Sequence, residues 1–227
     1  VALNQPALSR LGSGFLIPAC FFLPPGMIGH PSGSCPYAEP KAAGDIAKAK
    51  EMVTQSGMAG TPVTVWSQTR SPRKEWVENY VNVLNQIGFK ATQKVIADEN
   101  YFPTIGNLKL NAQTGFADWN QDFPNPVDFY LLLTKQGILP ENNQNFGQVD
   151  DPRINKEVEE LGKVPTSQLA SVASRWQALD EYVAKKSYVA VFGYQTFPKF
   201  TSTRINYKSI VFSPVYGWDY SALQLNP

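Results

Sequence analysis

The segment 114–126, Thr-Gly-Phe-Ala-Asp-Trp-Asn-Gln-Asp-Phe-Pro-Asn-Pro, is where residue types and spacing could do chemistry. An apolar run enters Asp118 and Trp119 at what reads as the C-terminal end of a strand. In open α/β sheets, ligand crevices lie beyond such ends. A carboxylate beside a flat aromatic suits a ligand carrying a cationic amine: the acid supplies a charge-assisted hydrogen bond, the ring apolar or cation–π contact. The same residues also read as a turn capped by Asp118 with Trp119 in the core, and residue types alone favour that plainer reading. Asp122 and Asp128 could join Asp118 as a metal cage or an acid/base pair. Their placement in a loop and at a helix start favours solvated turn or cap roles.

Catalytic constellations are otherwise thin. The sole histidine, His30, lies in a Gly/Pro loop, so paired-histidine metal sites are excluded and any base-assisted nucleophile has one candidate partner. Gly12-Ser13-Gly14 reads as a plain turn, and no paired-cysteine zinc spacing exists. No cofactor is expected. Twenty basic residues against nineteen acidic give a net charge of +1, which argues against a nucleic-acid partner and gives no electrostatic reason to sit on an anionic membrane. The longest apolar stretch, residues 15–23, is cut by Pro18, far short of a membrane span. Two cysteines, Cys20 and Cys35, flank a Pro/Gly-rich stretch. They read either as a disulfide, which needs an oxidising compartment, or as two unrelated small hydrophobes. The chain starts at Val1 without a recognisable signal peptide, from which processing or excision from something longer is expected.

The elements that must position segment 114–126 follow from periodicity and caps. At 227 residues and 43% hydrophobic, the chain can bury a real core. Residues 1–11 read as the end of a helix, and 12–40 as a long loop. Asp45 opens a helix that Gly57 closes. Residues 62–66 form a strand, and Ser71-Pro72 starts a helix striped by Trp76, Val77, Tyr80, Leu84 and Ile87. A strand over 89–97 completes a strand–helix–strand run, predicting a parallel pair. A short helix over 98–108 carries Tyr101, Phe102 and Ile105. Residues 112–119 make a third strand, and 126–133 another helix. Asp151-Pro152 repeats the cap-then-proline signal. The clearest helix spans 166–186, and 188–194 is an apolar strand. Interleaved strands and helices predict an α/β fold, a mixed sheet flanked by helices.

This order of segments resembles the family 5 extracellular solute-binding proteins, the oligopeptide-, dipeptide- and nickel-binding group. The resemblance runs through Ala2-Leu3-Asn4 to Gly12, Phe22-Leu-Pro-Pro-Gly26, Asp45-Ile-Ala-Lys-Ala-Lys50 and Val63-Thr-Val-Trp66. It continues through Phe116-Ala-Asp-Trp-Asn120 with Pro124-Asn-Pro126, and through 142–146 to Ile154. It implies a lobe of the type II periplasmic-binding-protein fold: residues 1–227 as the second, C-terminal lobe of a protein more than twice this size. Residues 1–40 and 201–227 then lie near the hinge and first-lobe boundary. It also implies a bacterial monomer, periplasmic or lipid-anchored at the surface, whose two lobes close over a peptide or other amine-bearing solute. Delivery is to a membrane permease driven by paired ATPases, an ABC importer. In peptide-binding members the aspartate at the position of Asp118 receives the ligand's α-amino group. Phe116 and Trp119 would be walls, and Asn120 belongs to the same ligand-side turn. Where such binders often carry tryptophan three residues before the aspartate, this chain has Gly115, which cannot wall a side-chain pocket; Tyr101 then reads either as a replacement aromatic surface or as core packing.

Two further readings remain beside this non-enzymatic one. One is a receptor domain that senses a solute without transporting it. The other is a hydrolase on a related scaffold using Asp118 and Asp122.

Overall fold

The computed structural model describes residues 1–37, 39–40, 42–213 and 217–227; residue 38 of the expected 12–40 loop and residues 214–216 of the C-terminal segment lie outside the described residues. From the N-terminus run α1 (Gln5–Leu11), β1 (Leu16–Ile17), α2 (Ile46–Gln55), β2 (Pro62–Gln68), α3 (Arg73–Gln86), β3 (Lys90–Ile96) and α4 (Asp98–Ile105). β4 (Thr114–Gly115), α5 (Val127–Tyr130), α6 (Pro152–Leu161), α7 (Ala173–Lys186), β5 (Tyr194–Gln195), β6 (Val211–Ser213) and β7 (Gly217–Asp219) follow, with short 3₁₀ turns between them.

The expected parallel pair forms over its full length, from Pro62 opposite Lys90 to Gln68 opposite Ile96. β4 adds to the other side of β2, giving a three-stranded parallel sheet in the order β3-β2-β4. The mixed sheet expected from sequence is therefore divided among the described residues: the central sheet is parallel, and the antiparallel pairs β1-β5 and β6-β7 stand apart. Val65 packs into the cluster built around Trp76 and Val77 of α3, whereas its neighbour Trp66 packs with Tyr101 and Ile105 of α4. Both faces of the sheet are thus covered, as parallel sheets require. A third cluster joins α5, α6 and α7 through Phe129, Tyr130, Ile154, Leu161, Trp176 and Leu179.

Caps behave as the sequence suggests at α2 and α6. The Asp45 carboxylate accepts from the Lys48 N–H at 2.9 Å, and that of Asp151 from the N–H groups of Arg153 and Ile154. At α3 the expectation fails in detail, because Pro72 occupies the cap position and no side chain caps the helix. The long helix expected over 166–186 starts as a 3₁₀ segment, Thr166–Val172, and is α-helical only from Ala173. The Ser171 hydroxyl donates to the Gln168 carbonyl at 2.7 Å, a local bond that competes with α-helical pairing. Of the strand expected over 188–194, only Tyr194 pairs, with Ile17. The third strand, expected over 112–119, pairs only at Thr114 and Gly115. Ahead of it the side chain of Gln113 replaces ladder bonds, accepting from the Thr64 N–H at 2.9 Å and donating to the Pro62 carbonyl at 3.4 Å.

Cys20 and Cys35 are joined by a disulfide that closes the Pro/Gly-rich loop. Within it the Leu23 N–H donates to both oxygens of Asp180, and the Tyr194 hydroxyl donates to the carbonyls of Phe21 and Leu23. Replacing both cysteines by serine should lower the unfolding free energy by roughly 3 kcal/mol on loop entropy alone. Urea denaturation of the oxidised protein and the double variant measures the difference.

Candidate ligand-binding cleft

Because β2 and β4 are parallel, the chain leaves both at the same edge of the sheet. After β2 it turns through Ser71-Pro72 into α3, whose first residue is Arg73; after β4 it reaches Asp118 in three residues. The two side chains meet there. The Arg73 guanidinium donates through Nη2 to Oδ2 of Asp118, with 15% and 29% of the respective side chains exposed. The Phe116 ring lies under the guanidinium, its centroid 5.4 Å from Cζ. Phe116 itself is buried, packed on Trp76 at 5.9 Å and Phe192 at 6.3 Å between centroids. Burial pushes the Asp118 carboxyl above the ordinary carboxylate range, and the positive charges of Arg73 and Arg70 and its own backbone N–H pull it back.

Beside this pair opens a cleft of about 640 Å³, whose lining includes Phe116, Asp118, Trp119, Asn120, Tyr80 and Phe192. The structure therefore brings four of the five expected site residues together. Trp119 is half-buried against the α5–α7 cluster, and its indole N–H donates to Asp128 Oδ1 at 3.1 Å. Asn120 is exposed. The carboxylate of Asp118 has a partner outside segment 114–126, the Arg73 guanidinium. One signal for Arg73 was present in the sequence. A cation at a helix N-terminus faces the positive end of the dipole and is out of place unless an anion lies near.

Tyr101 is the fifth expected residue and is corrected. It is fully buried, and its hydroxyl donates to the carbonyls of Trp66 at 2.9 Å and Phe116 at 2.8 Å. It braces the end of β2 against the segment after β4 and does not wall the cleft. This explains Gly115. A Cβ built there would sit 2.8 Å from the Trp66 carbonyl oxygen and 2.9 Å from the Tyr101 hydroxyl. The glycine is a close-approach position rather than a missing wall. Gly115→Ala should destabilise the fold by roughly 1–3 kcal/mol, as overpacking does, and a thermal melt reads the effect.

Asp128, expected in a solvated role, is buried. It accepts from the Trp119 indole and, at 2.8 Å, from the Asp122 backbone N–H, and so fixes the turn over 119–122. The Asp118 carboxylate is engaged by Arg73, Asp122 bonds Asp128 through its backbone N–H, and no group of three or more His, Cys, Asp or Glu able to hold a metal occurs among the described residues. His30 places Nδ1 2.8 Å from the Leu23 carbonyl and packs edge-on against Phe21 and Tyr194, an anchoring role in the disulfide loop.

Residues 1–139 match the family described as bacterial extracellular solute-binding proteins, family 5, middle part. The chain belongs to that family. It is a family of binding proteins, and the similar solved structures are peptide-binding or periplasmic binding proteins of the type II fold. The structure of "Clavulanic acid biosynthesis oligopeptide binding protein 2" superposes with a TM-score of 0.86 at 20% identity, covering 100% of this chain and 42% of that one. The periplasmic binding protein DppA from Helicobacter pylori, solved with the peptide STSA, gives 0.68 at 21% identity over 82% of this chain and 35% of that one. The Escherichia coli murein tripeptide binding protein MppA gives 0.68 at 16% identity over 95% and 41%. This chain thus spans about two fifths of the length of these family relatives. No curated protein matches it by sequence.

Proposed function

We propose that residues 1–227 are the second, C-terminal lobe of an extracytoplasmic solute-binding protein that serves an ABC importer. Its solute is a peptide or another small amine-bearing compound. The observation that carries this reading is the cleft at the C-terminal edge of the parallel sheet, where an acidic group partly open to solvent sits among aromatic walls. Asp118 receives the ligand's amino group, Phe116 and Trp119 wall the pocket, and Asn120 borders it. The peptide STSA held by DppA, and the description of MppA as a murein tripeptide binding protein, support the substrate class.

Closure follows from electrostatics. An ammonium shut between two lobes needs a fixed anion, because an unpaired buried charge is costly. A ligand that supplies this pairing only in the closed state shifts the protein toward closure. The closed form then docks on a permease with paired ATPases. Exposed aromatics in the C-terminal segment, Tyr207 at 80% and Tyr220 at 70%, support placing residues 201–227 near the first-lobe boundary, where residues 1–40 also belong on this reading. The disulfide supports an oxidising compartment, the periplasm or the outer surface under a lipid anchor.

Native mass spectrometry of the full-length protein, purified without refolding, tests the reading. A co-purifying compound with a free amine is the expected result. A tightly held ligand without any basic nitrogen would overturn it.

A further inference from the structure

We propose that Arg73 is a positioning residue for ligand capture: by holding Oδ2 of Asp118 it fixes the carboxylate, keeps it charged, and leaves the other oxygen for a single ammonium donor. The inference rests on the reading of Asp118 as the amine receptor and adds the residue that makes the receptor work.

The geometry carries it. Arg73 stands at the first position of α3, where the helix dipole disfavours a cation. Two contacts hold it there nonetheless: the charge-assisted bond to Asp118 and the face of the Phe116 ring. Its side chain is less exposed than that of its partner, and Asp118 lines the cleft whereas Arg73 does not, so the carboxylate is the member of the pair that faces the cleft. Each element around the carboxylate contributes a group. Arg73 comes from α3. Arg70 comes from the loop after β2, with its own partner Asp98 at 3.8 Å. The neutral Tyr101 hydroxyl comes from α4. Arg73 is the one of these with a direct bond to the carboxylate. With one lone pair of Oδ2 already engaged by Arg73, a single ammonium donor asks less of the remaining acceptor sites than a guanidinium fork does.

Without Arg73, burial would be opposed only by Arg70 and the backbone N–H of Asp118, and the carboxyl would take up a proton at higher pH. A neutral acid no longer offers the charge-assisted acceptor that an amine needs. Capture should then fail first at mildly acidic pH.

Carboxyl-carbon NMR titration of Asp118 in the ligand-free, full-length protein tests the coupling directly, in the wild type, Arg73→Met and Arg73→Lys. Removal of the opposite charge should raise the Asp118 midpoint by about one pH unit or more in the methionine variant, with the lysine variant close to wild type. An unmoved midpoint in Arg73→Met overturns the proposal, and so does a lysine variant that behaves like methionine. Calorimetry with tri- to penta-alanine, free and N-acetylated, adds the functional arm. Arg73→Met should weaken the free peptides about tenfold more near pH 5 than near pH 8. Equal weakening at both overturns Arg73 as the group that keeps the acid charged. Free and acetylated peptides bound equally by the wild type would instead sink the Asp118 reading, and the NMR titration would still report on the pair.

Discussion

Asp118→Asn in the full-length protein should weaken amine-bearing ligands by more than about tenfold, because it exchanges a charge-assisted hydrogen bond for a neutral one of roughly half the strength. The substitution preserves shape, so the loss isolates the charge. Binding of the same ligand with its amine acetylated should change little. The partner left behind matters too. Arg73, with 15% of its side chain exposed, loses its anion in the variant and leaves the cleft with surplus positive charge, which repels an ammonium. Both effects act in the same direction. Isothermal titration calorimetry on wild type and variant measures the ratio, and an unchanged dissociation constant would remove Asp118 from the site.

The second large effect concerns stability. Asp180 is fully buried on α7 and accepts from the Tyr130 hydroxyl at 2.9 Å and from the Leu23 N–H. Burial dominates these favourable bonds and raises its carboxyl from 3.8 to about 7. The sign follows from proton counting. Between these two values the folded chain holds a proton at this site that the unfolded chain has released, so stability is greatest below the lower value and falls as pH rises toward the upper one. With one pH unit worth about 1.4 kcal/mol, the change is of order a few kcal/mol. The thermal midpoint should therefore fall between about pH 4 and pH 7 by more in the wild type than in Asp180→Asn, which keeps an acceptor but cannot ionise. Parallel slopes would show that Asp180 does not titrate in this window.

Local order was largely legible in the sequence. α2 and α6 begin at Asp45 and Asp151 because a short acidic side chain can satisfy the free N–H groups of its own first turn. β2, α3 and β3 followed from apolar spacing, and the cleft's place followed from the rule for parallel strand ends. Where strand and helix lengths were overestimated, the cause was non-local. Residues 112–113 and 188–193 have strand-like composition, but a strand requires a partner along its edge. Gln113 meets its neighbour with a side chain instead, and the Tyr188 hydroxyl donates to Asp151.

What the sequence determined by itself was the family, the α/β alternation, the caps and the acidic-aromatic turn at 116–120, because each is written in contiguous residues or in their order. What only the tertiary structure decided was who meets whom across the chain. Arg73 and Asp118 lie 45 positions apart and become partners because parallel pairing of β2 with β4 delivers both to one sheet edge. The same packing sends Tyr101 inward against Gly115, where its hydroxyl reaches the carbonyls of Trp66 and Phe116. Spacing along a chain cannot encode such pairings; they exist only once the sheet is assembled.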